Sequence, residues 1–522
     1  MKMNLLQIAI LLPPALFMLY GLWSKSKTTS LKALKNGALL FSGLGILTAI
    51  VSGISIYLEG QQTVSLLEMN GLGISFKIDA LSIIMLGMVS FIGGIVLKYS
   101  INYLDGDHNH KSFLGRLAVT VASVQLLVIS GNLLLFFLAW VSTSFALHQL
   151  LTFYKTRKKA QLAAKKKFLF ARLGDFALFG AFALFYQSTG TGDIQTIGQI
   201  MTTMGEGGWM IELGAALLVM TAALKSAQLP FHGWLVEVME APTPVSALLH
   251  AGLLNAGPFL IIRFSHVMDA APLAQTTLLV ISGLTAMLGA MMFITQPAIK
   301  TALAYSSIAH MGFSLMASGL GAYSASLLHL VAHSFYKAHA FLSSASIVDQ
   351  MRASYINKPK RKGNPLGIAV AVILAVSATM TGVYLLKLND STDLPLLILT
   401  GMITLGVALL IVFATDTTSI AKTNLRLLGT AALIVTAFFV WESIFHQLLT
   451  GVLPVAKAPH PLVIGAGLGL LVLFCLPIGY QIFKTKSAVN KVQHTFGVHF
   501  RNGLYLNLYL DKLLGKYHKS VG

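Results

Sequence analysis

Apolar residues in this 522-residue chain come in long runs rather than in strict alternation. Runs near the ~20 residues that an α-helix needs to cross a bilayer recur from end to end. They fall at 4–22, 37–58, 79–99, 116–130, 132–153, 168–188, 209–227, 243–265, 275–295, 300–320, 324–349, 365–386, 393–414, 427–450 and 461–483. The pattern predicts an all-α polytopic membrane protein with fourteen to fifteen transmembrane helices. The fourth and fifth runs meet at Gly131-Asn132 with almost no loop. The seventh ends at Gln228-Leu229-Pro230, and Pro242 and Pro244 open the eighth. Prolines there predict a helix broken at membrane depth, which is tolerated where the broken backbone is buried in protein or lines a cavity.

Composition narrows the class. Hydrophobic residues make up 55% of the chain and charged ones 11%, against roughly 25% charged in a soluble domain. With a mean hydropathy of +0.75, this excludes a disordered chain, a nucleic-acid-binding tail and an ordinary soluble enzyme. The single cysteine, Cys475, excludes a disulfide framework, an iron–sulfur centre or a cysteine zinc site within the chain. Lys2 followed by Leu5 to Tyr20 has the look of a signal peptide, but Trp23-Ser24-Lys25 follows in place of small cleavage-site residues. A retained first span is expected.

The net charge of +19 is mostly topology. Of 37 lysines and arginines, five lie inside spans, four (Lys2, Lys77, Lys387, Lys457) fall on one side, and the remaining 28 fall on the other. By the positive-inside rule the N-terminus is outside and the C-terminus inside, which in a bacterium means a multi-pass protein of the cell (inner) membrane. The tail sets Tyr505, Leu508, Tyr509, Leu513 and Leu514 beside Lys512 and Lys516 at near-helical spacing. It is expected either to lie on membrane lipid or to dock a cytoplasmic partner; no nucleic-acid partner is expected.

Charges at membrane depth are costly, about 2.5–3.5 kcal/mol or more each, so those retained usually mark ion or proton routes. The spans hold Arg172, Asp175, Lys225, His232, Glu240, His250, Lys300, His310, His329, His333, Lys337 and His339. His329, His333 and Lys337 are spaced i, i+4, i+8 and stack on one helix face over about 12 Å. Histidine titrates near neutrality and a desolvated lysine moves towards it, so such a column is suited to passing protons. A single buried histidine is more simply a hydrogen-bonded packing residue; the column together with Lys225, His250 and Lys300 points to a proton path. Asp175 and Arg172, three apart, either neutralise each other or take part. Glu240 either caps the helix after Pro242 or takes part. His329 and His333 with His250 make a poor zinc site, because Lys337 would repel the cation. No Walker A motif and no strand-borne glycine fingerprint is present, so no cofactor is expected in this chain.

The run Lys225-Ser226-Ala227-Gln228-Leu229-Pro230-Phe231-His232-Gly233-Trp234, continued by Met239-Glu240-Ala241-Pro242-Thr243-Pro244 to His250-Ala251, resembles the antiporter-like subunits of respiratory complex I and Mrp cation/proton antiporters. Ile299-Lys300-Thr301-Ala302-Leu303-Ala304-Tyr305 and His329-Leu330-Val331-Ala332-His333-Ser334-Phe335-Tyr336-Lys337-Ala338 match two further blocks of that superfamily. The resemblance covers roughly residues 115–350. It implies two inverted five-helix repeats, with breaks in the seventh and twelfth spans. The implied division is 1–115, N-terminal helices; 116–265, first repeat; 266–415, second repeat; 416–483, C-terminal helices; 484–522, basic tail. It further implies a proton or cation pathway through Lys225 as central lysine, His250 as link, Lys300 near the interface of the halves, and His329, His333 and Lys337 as second relay. His310, His339, Asp175 and Glu240 are the additional candidates.

Superfamily members that pump carry a glutamate on the fifth span, where this chain has Ala139-Trp140-Val141; Asp175 is the nearest substitute, and Lys387 is a loose equivalent of the twelfth-span ionisable residue. The chain ends at Gly522 without the lateral helix of the largest complex I subunit. These departures are similar to the membrane subunit of DAB-type inorganic-carbon pumps, as are Ser142-Thr143-Ser144, His339, and Ala251-Gly252-Leu253-Leu254-Asn255. That resemblance implies a transporter subunit, not itself an enzyme. It would couple a cation gradient, protons first, to a large cytoplasmic zinc protein resembling β-carbonic anhydrases that converts CO2 to bicarbonate. The competing readings are a complex I-like or Mrp-type subunit and a non-conducting anchor for the partner.

Overall fold

A computed structural model describes residues 8–154, 156–344, 365–386, 388, 390–415, 421–483 and 491–513. The described residues are 80% helical, and eleven helices among them are long and apolar enough to cross a membrane. Four further helices stand at predicted spans but are short or carry polar residues: α1 (Leu12–Trp23), α8 (Trp209–Lys225), α14 (Ile299–Leu320) and α15 (Tyr323–Leu342). In chain order the others begin with α2 (Leu31–Glu59), α3 (Ala80–Tyr103), α4 (His110–Val128), α5 (Leu133–Leu151) and α6 (Lys158–Thr189). The short helices α7 (Ile194–Met204) and α9 (Gly233–Glu237) flank α8. Then follow α10 (Thr243–Ala251), α11 (Ala256–Arg263), α12 (Ser265–Asp269) and α13 (Pro272–Phe293). After α15 come α16 (Pro365–Leu385), α17 (Leu394–Thr415), α18 (Ala421–Leu448), α19 (Pro461–Phe483), and the tail helices α20 (Lys491–Arg501) and α21 (Leu506–Leu513). Lys387 lies outside the described residues.

One element was not foreseen: an antiparallel hairpin of β1 (Gln62–Met69) and β2 (Leu72–Ile78), between α2 and α3. It knits the lysine-poor end of the bundle. Lys77 N–H donates to the Ile129 carbonyl, Gly131 N–H to Ser75, and Gly192 N–H to Asn70. These bonds satisfy backbone groups of the tight α4–α5 connection.

The seventh span is broken, as Pro230 foretold. Helix α8 stops at Lys225, Ala227 takes φ 52°, the Leu229–Pro230 peptide is cis, and α9 resumes at Gly233. The eighth is interrupted too, at Gly252 between α10 and α11. This pair is the most enclosed part of the bundle, with its apolar window entirely buried. The break expected in the twelfth span is absent, since Pro365–Leu385 is continuous; no proline or glycine pair interrupts its apolar run. Elsewhere small residues bring helices together: a Cβ on Gly312 would meet the Ala286 nitrogen at 2.6 Å and one on Gly319 the Leu279 backbone at 2.8 Å, so α13 and α14 pack backbone to backbone.

The tail neither stands free nor simply covers lipid. Asn507 bonds both Lys166 and Glu237, with Asn507 Nδ2 2.6 Å from Glu237 Oε1, and Gln296 Nε2 donates to the Arg501 carbonyl at 3.2 Å. Segment 491–513 therefore seats under the broken seventh span at the lysine-rich end, leaving Phe496, Leu508 and Tyr509 exposed.

A buried ion pair ties hairpin, α3 and α11 together. Asp79 caps α3 by accepting from Ser82 N–H at 2.8 Å, and Arg263 Nη1 donates to its Oδ2 at 2.5 Å. Burial alone pushes the Asp79 carboxyl up, but the Arg263 guanidinium and then Lys77 more than reverse it and hold it below the usual carboxylate range. Replacing Arg263 by Met strands a buried carboxylate and is expected to lower stability by about 3–5 kcal/mol, read as a fall in the thermal midpoint of the detergent-solubilised chain. Because the folded value is depressed, the stability that Asp79 adds over Asp79→Asn should hold constant from about pH 8 to pH 5 and shrink only in stronger acid. A difference that already declines at neutral pH would contradict this pairing.

Candidate functional site

The broken helices place two buried lysines along one polar axis. Lys225, the last residue of α8, points at α5: its Nζ donates to Ser144 Oγ at 2.8 Å and Thr143 Oγ1 at 3.1 Å, and lies 4.3 Å from the centroid of the Trp140 ring. The span that lacks the superfamily glutamate at Val141 thus supplies two hydroxyls and an indole face instead. Both are weaker acceptors than a carboxylate but keep an ammonium partnered. Asp175 is not the replacement bonded partner. It pairs with Arg172 at 2.7 Å and acts on Lys225 only through space. A further lysine, Lys167, is buried beside it and donates to the Ser144 carbonyl at 3.3 Å.

From there polar groups cross the molecular centre. Ser226 Oγ donates to the Leu254 carbonyl at 2.7 Å, and Asn255 Nδ2 donates to Ser334 Oγ on α15, also at 2.7 Å. The interruption at Gly252 is what frees these groups to face α8 on one side and α15 on the other. His250, the last polar residue before that interruption, is fully buried and stacks on Phe341 with ring centroids 4.4 Å apart.

The second lysine sits at the end of the histidine column. Lys337 is 0% exposed, and its Nζ donates to the Leu303 carbonyl at 3.0 Å. His333 stands one turn away on α15 and His329 one turn further. His310, from α14, closes the group: its Nδ1 is 3.3 Å from His329 Nε2, and its ring centroid is 5.1 Å from that of His333. Three imidazoles from two helices therefore touch in series. Neither nitrogen of His250 or His333 has a hydrogen-bond partner among the described residues. Among those residues no group of three His, Cys, Asp or Glu is placed to hold a metal ion.

Three candidates stand apart from this axis. Lys300 occupies the first turn of α14, half-exposed at the lysine-rich end, one turn from Leu303. His339 is exposed, on the far face from Lys337. Glu240 is exposed as well: Arg157 Nη1 donates to its backbone carbonyl at 3.3 Å, and no side chain caps α10. Its expected capping role is therefore corrected; Pro242 at the cap position leaves the turn to start without it.

Other participants went unnoticed in the sequence. Thr143, Ser144 and Asn255 read as ordinary packing residues, and Lys167 was hidden in the run Lys165-Lys166-Lys167, which reads as surface charge. His310, already a candidate from the sequence, is continued on its face of α14 by Ser314 and Ser318 at i+4 and i+8. Ser314 and Ser318 both bond Ser326 Oγ on α15 at 2.9 Å. Glu442, an acid inside the apolar run 427–450, was legible as well.

Apolar helices broken at a buried lysine, joined through a second interruption to a histidine–lysine column, define a membrane subunit of the antiporter type. Residues 130–421 match the family model described as "NADH:quinone oxidoreductase/Mrp antiporter, TM", and residues 68–114 match "NADH-Ubiquinone oxidoreductase (complex I), chain 5 N-terminus". The chain belongs to this NADH:quinone oxidoreductase/Mrp antiporter membrane family. Within it the chain is DabB-like. It is 37% identical to the "Probable inorganic carbon transporter subunit DabB" of Hydrogenovibrio crunogenus, over 77% of this chain and 80% of that protein. It is 42% identical to DabB2 of Halothiobacillus neapolitanus over 55% of this chain and 52% of that protein. Chain 5 of the NAD(P)H-quinone oxidoreductase of a Synechocystis species is 38% identical over 54% and 42%, respectively. In fold the chain resembles the Mrp complex from a Dietzia species, with a TM-score of 0.60 and 22% identity over 99% of this chain and 58% of that one.

If hydroxyls hold the Lys225 ammonium, removing them by Thr143→Val with Ser144→Ala should lower stability by about 1–3 kcal/mol, as expected for an abandoned charged donor. Lys225→Met, which removes the charge itself, should be neutral or stabilising. Thermal unfolding of the purified full-length variants distinguishes them; equal behaviour of the double variant and wild type would show that the hydroxyls do not hold the lysine.

Proposed function

We propose that this chain is the ion-translocating membrane subunit, most simply for protons, of an energy-coupled inorganic-carbon transporter. The observation that carries the ionic part is the unbroken contact of His329, His310 and His333 beside the buried Lys337. Desolvated imidazoles and an ammonium are retained at such expense where they carry charge across. The DabB names of its relatives support inorganic carbon as the cargo of the whole assembly. The partner we infer is a large cytoplasmic zinc protein resembling β-carbonic anhydrases, with the lysine-rich end of the bundle facing the cytoplasm.

In this reading protons enter through the histidine cluster and reach Lys337. The polar groups at Asn255 and Ser226 link that half to Lys225. Charge arriving at Lys225 repels the neighbouring Lys167, and among the described residues no carboxylate is bonded to the ammonium of Lys225 or Lys337. Such unneutralised charge is a means of driving rearrangement at the lysine-rich end, where the broken seventh span and the tail meet through Glu237, Asn507 and Lys166. The hydration chemistry itself belongs to the partner. A strictly passive anchor gains nothing from a buried column of this kind.

Two measurements test this. Affinity purification in mild detergent, with mass spectrometry and zinc analysis, is expected to recover a large soluble zinc-bearing protein at fixed stoichiometry; a set of quinone-reducing or antiporter-like membrane subunits instead would overturn the carbon-transport reading. In a host that needs elevated CO2, Lys337→Ala and His333→Ala should abolish growth rescue at ambient CO2 while the partner still co-purifies. Full rescue by both would leave the anchor reading in place.

A further inference from the structure

The column has a polar mouth at the lysine-poor end. There, beside the α14–α15 turn at Gly321, lies a cavity of about 410 Å³ that extends to the 450–460 loop. Glu442, on α18, lines it. This carboxyl is 3% exposed; its Oε1 accepts from Ser324 Oγ at 2.6 Å, while Oε2 has no hydrogen-bond partner among the described residues. The other titratable groups around the cavity are Asp269, Asp393, Lys457, His446 and His460, with Tyr323. Asp269 is engaged, accepting from Tyr323 Oη at 2.6 Å.

We infer that Glu442, held by Ser324, is the site that takes up protons from the lysine-poor side and loads the histidine column. The inference rests on the ion-conducting reading above. Exchangeable groups lie deeper along α14 and α15. Ser326, two residues further on and about 200° round α15 from Ser324, is bonded by Ser314 and Ser318; His310 lies one turn from Ser314, and His329 three residues from Ser326. His329 and His310 then lead to His333 and Lys337. From Ser324 to Lys337 the helix rises about 20 Å, most of a bilayer's apolar thickness. An acid fixed by one oxygen and unpartnered at the other is suited to exchange: the hydroxyl orients it, and the buried, unpartnered oxygen at the cavity wall receives the proton. A merely structural tie between α15 and α18 would be served equally by an amide.

That difference sets the test. Glu442→Gln keeps the acceptor for Ser324 and the shape of the side chain but binds no proton. The full-length protein, with whatever subunits purify with it, is reconstituted in vesicles, and proton flux is followed with a pH-sensitive dye. Infrared difference spectra on acidification report protonated carboxyls. Glu442→Gln is expected to lower flux about tenfold or more and to remove a carboxylic-acid band present in wild type. Glu442→Asp should retain much of the flux, and Lys337→Ala should abolish it. If Glu442→Gln, or Glu442→Met should the former not fold, conducts with wild-type flux and spectrum while Lys337→Ala does not conduct, the loading site is overturned and the relay stands. If Lys337→Ala also conducts as wild type does, or wild type carries no flux, relay and loading site fall together.

Discussion

Backbone amides and carbonyls left unpaired in hydrocarbon each destabilise by several kcal/mol, and the architecture follows from how this chain meets that constraint. A break in a spanning helix is tolerable only inside protein. The interruption at Gly252 lies in Thr243–Arg263, which is wrapped by the rest of the bundle, and the one after Lys225 is flanked by the buried Ser226, Ala227 and Gln228. The freed groups are then used. Leu254 offers its carbonyl to Ser226, and Asn255 reaches across to Ser334. What would be a defect at the lipid surface becomes the bridge between two lysine-bearing regions.

Electrostatics within that frame differ from a set of neutralised ion pairs. Lys225 rests on hydroxyls and an indole, Lys337 on one carbonyl, and Lys167 on another. The strong pair, Arg263 with Asp79, sits instead near the lysine-poor end and serves the hairpin and the cap of α3. Charge pairing therefore secures the scaffold, whereas the axis keeps its cations compensated by neutral groups. A lysine held by neutral dipoles moves between protonation states more readily than one locked to a carboxylate.

The two ends of the bundle have distinct characters. The lysine-poor end is sealed by the hairpin and carries the cavity containing Glu442. The lysine-rich end gathers the broken seventh span, the tail helices and the exposed apolar side chains Phe496, Leu508 and Tyr509. An ion path that opens at the first end and a protein contact at the second would place energy input and chemical work on opposite faces of one subunit.

The sequence by itself determined the class of protein, its all-α membrane architecture, the break at Pro230 and the His329–His333–Lys337 face. These depend on run length, proline chemistry and helix periodicity, which are local properties. Helix periodicity puts Lys337 in register with His329 and His333 and leaves His339 off that face, because about 100° per residue is fixed by the helix. Only the tertiary structure decided which neighbours those residues meet: His310 comes to the column from another helix, Thr143 and Ser144 stand in for the missing acid, and Asp175 turns to Arg172. It likewise moved Lys300 and Glu240 to the surface, buried Lys167 from within a basic run, and left α16 unbroken. Each of these depends on the packing of helices distant in sequence, which no local pattern encodes.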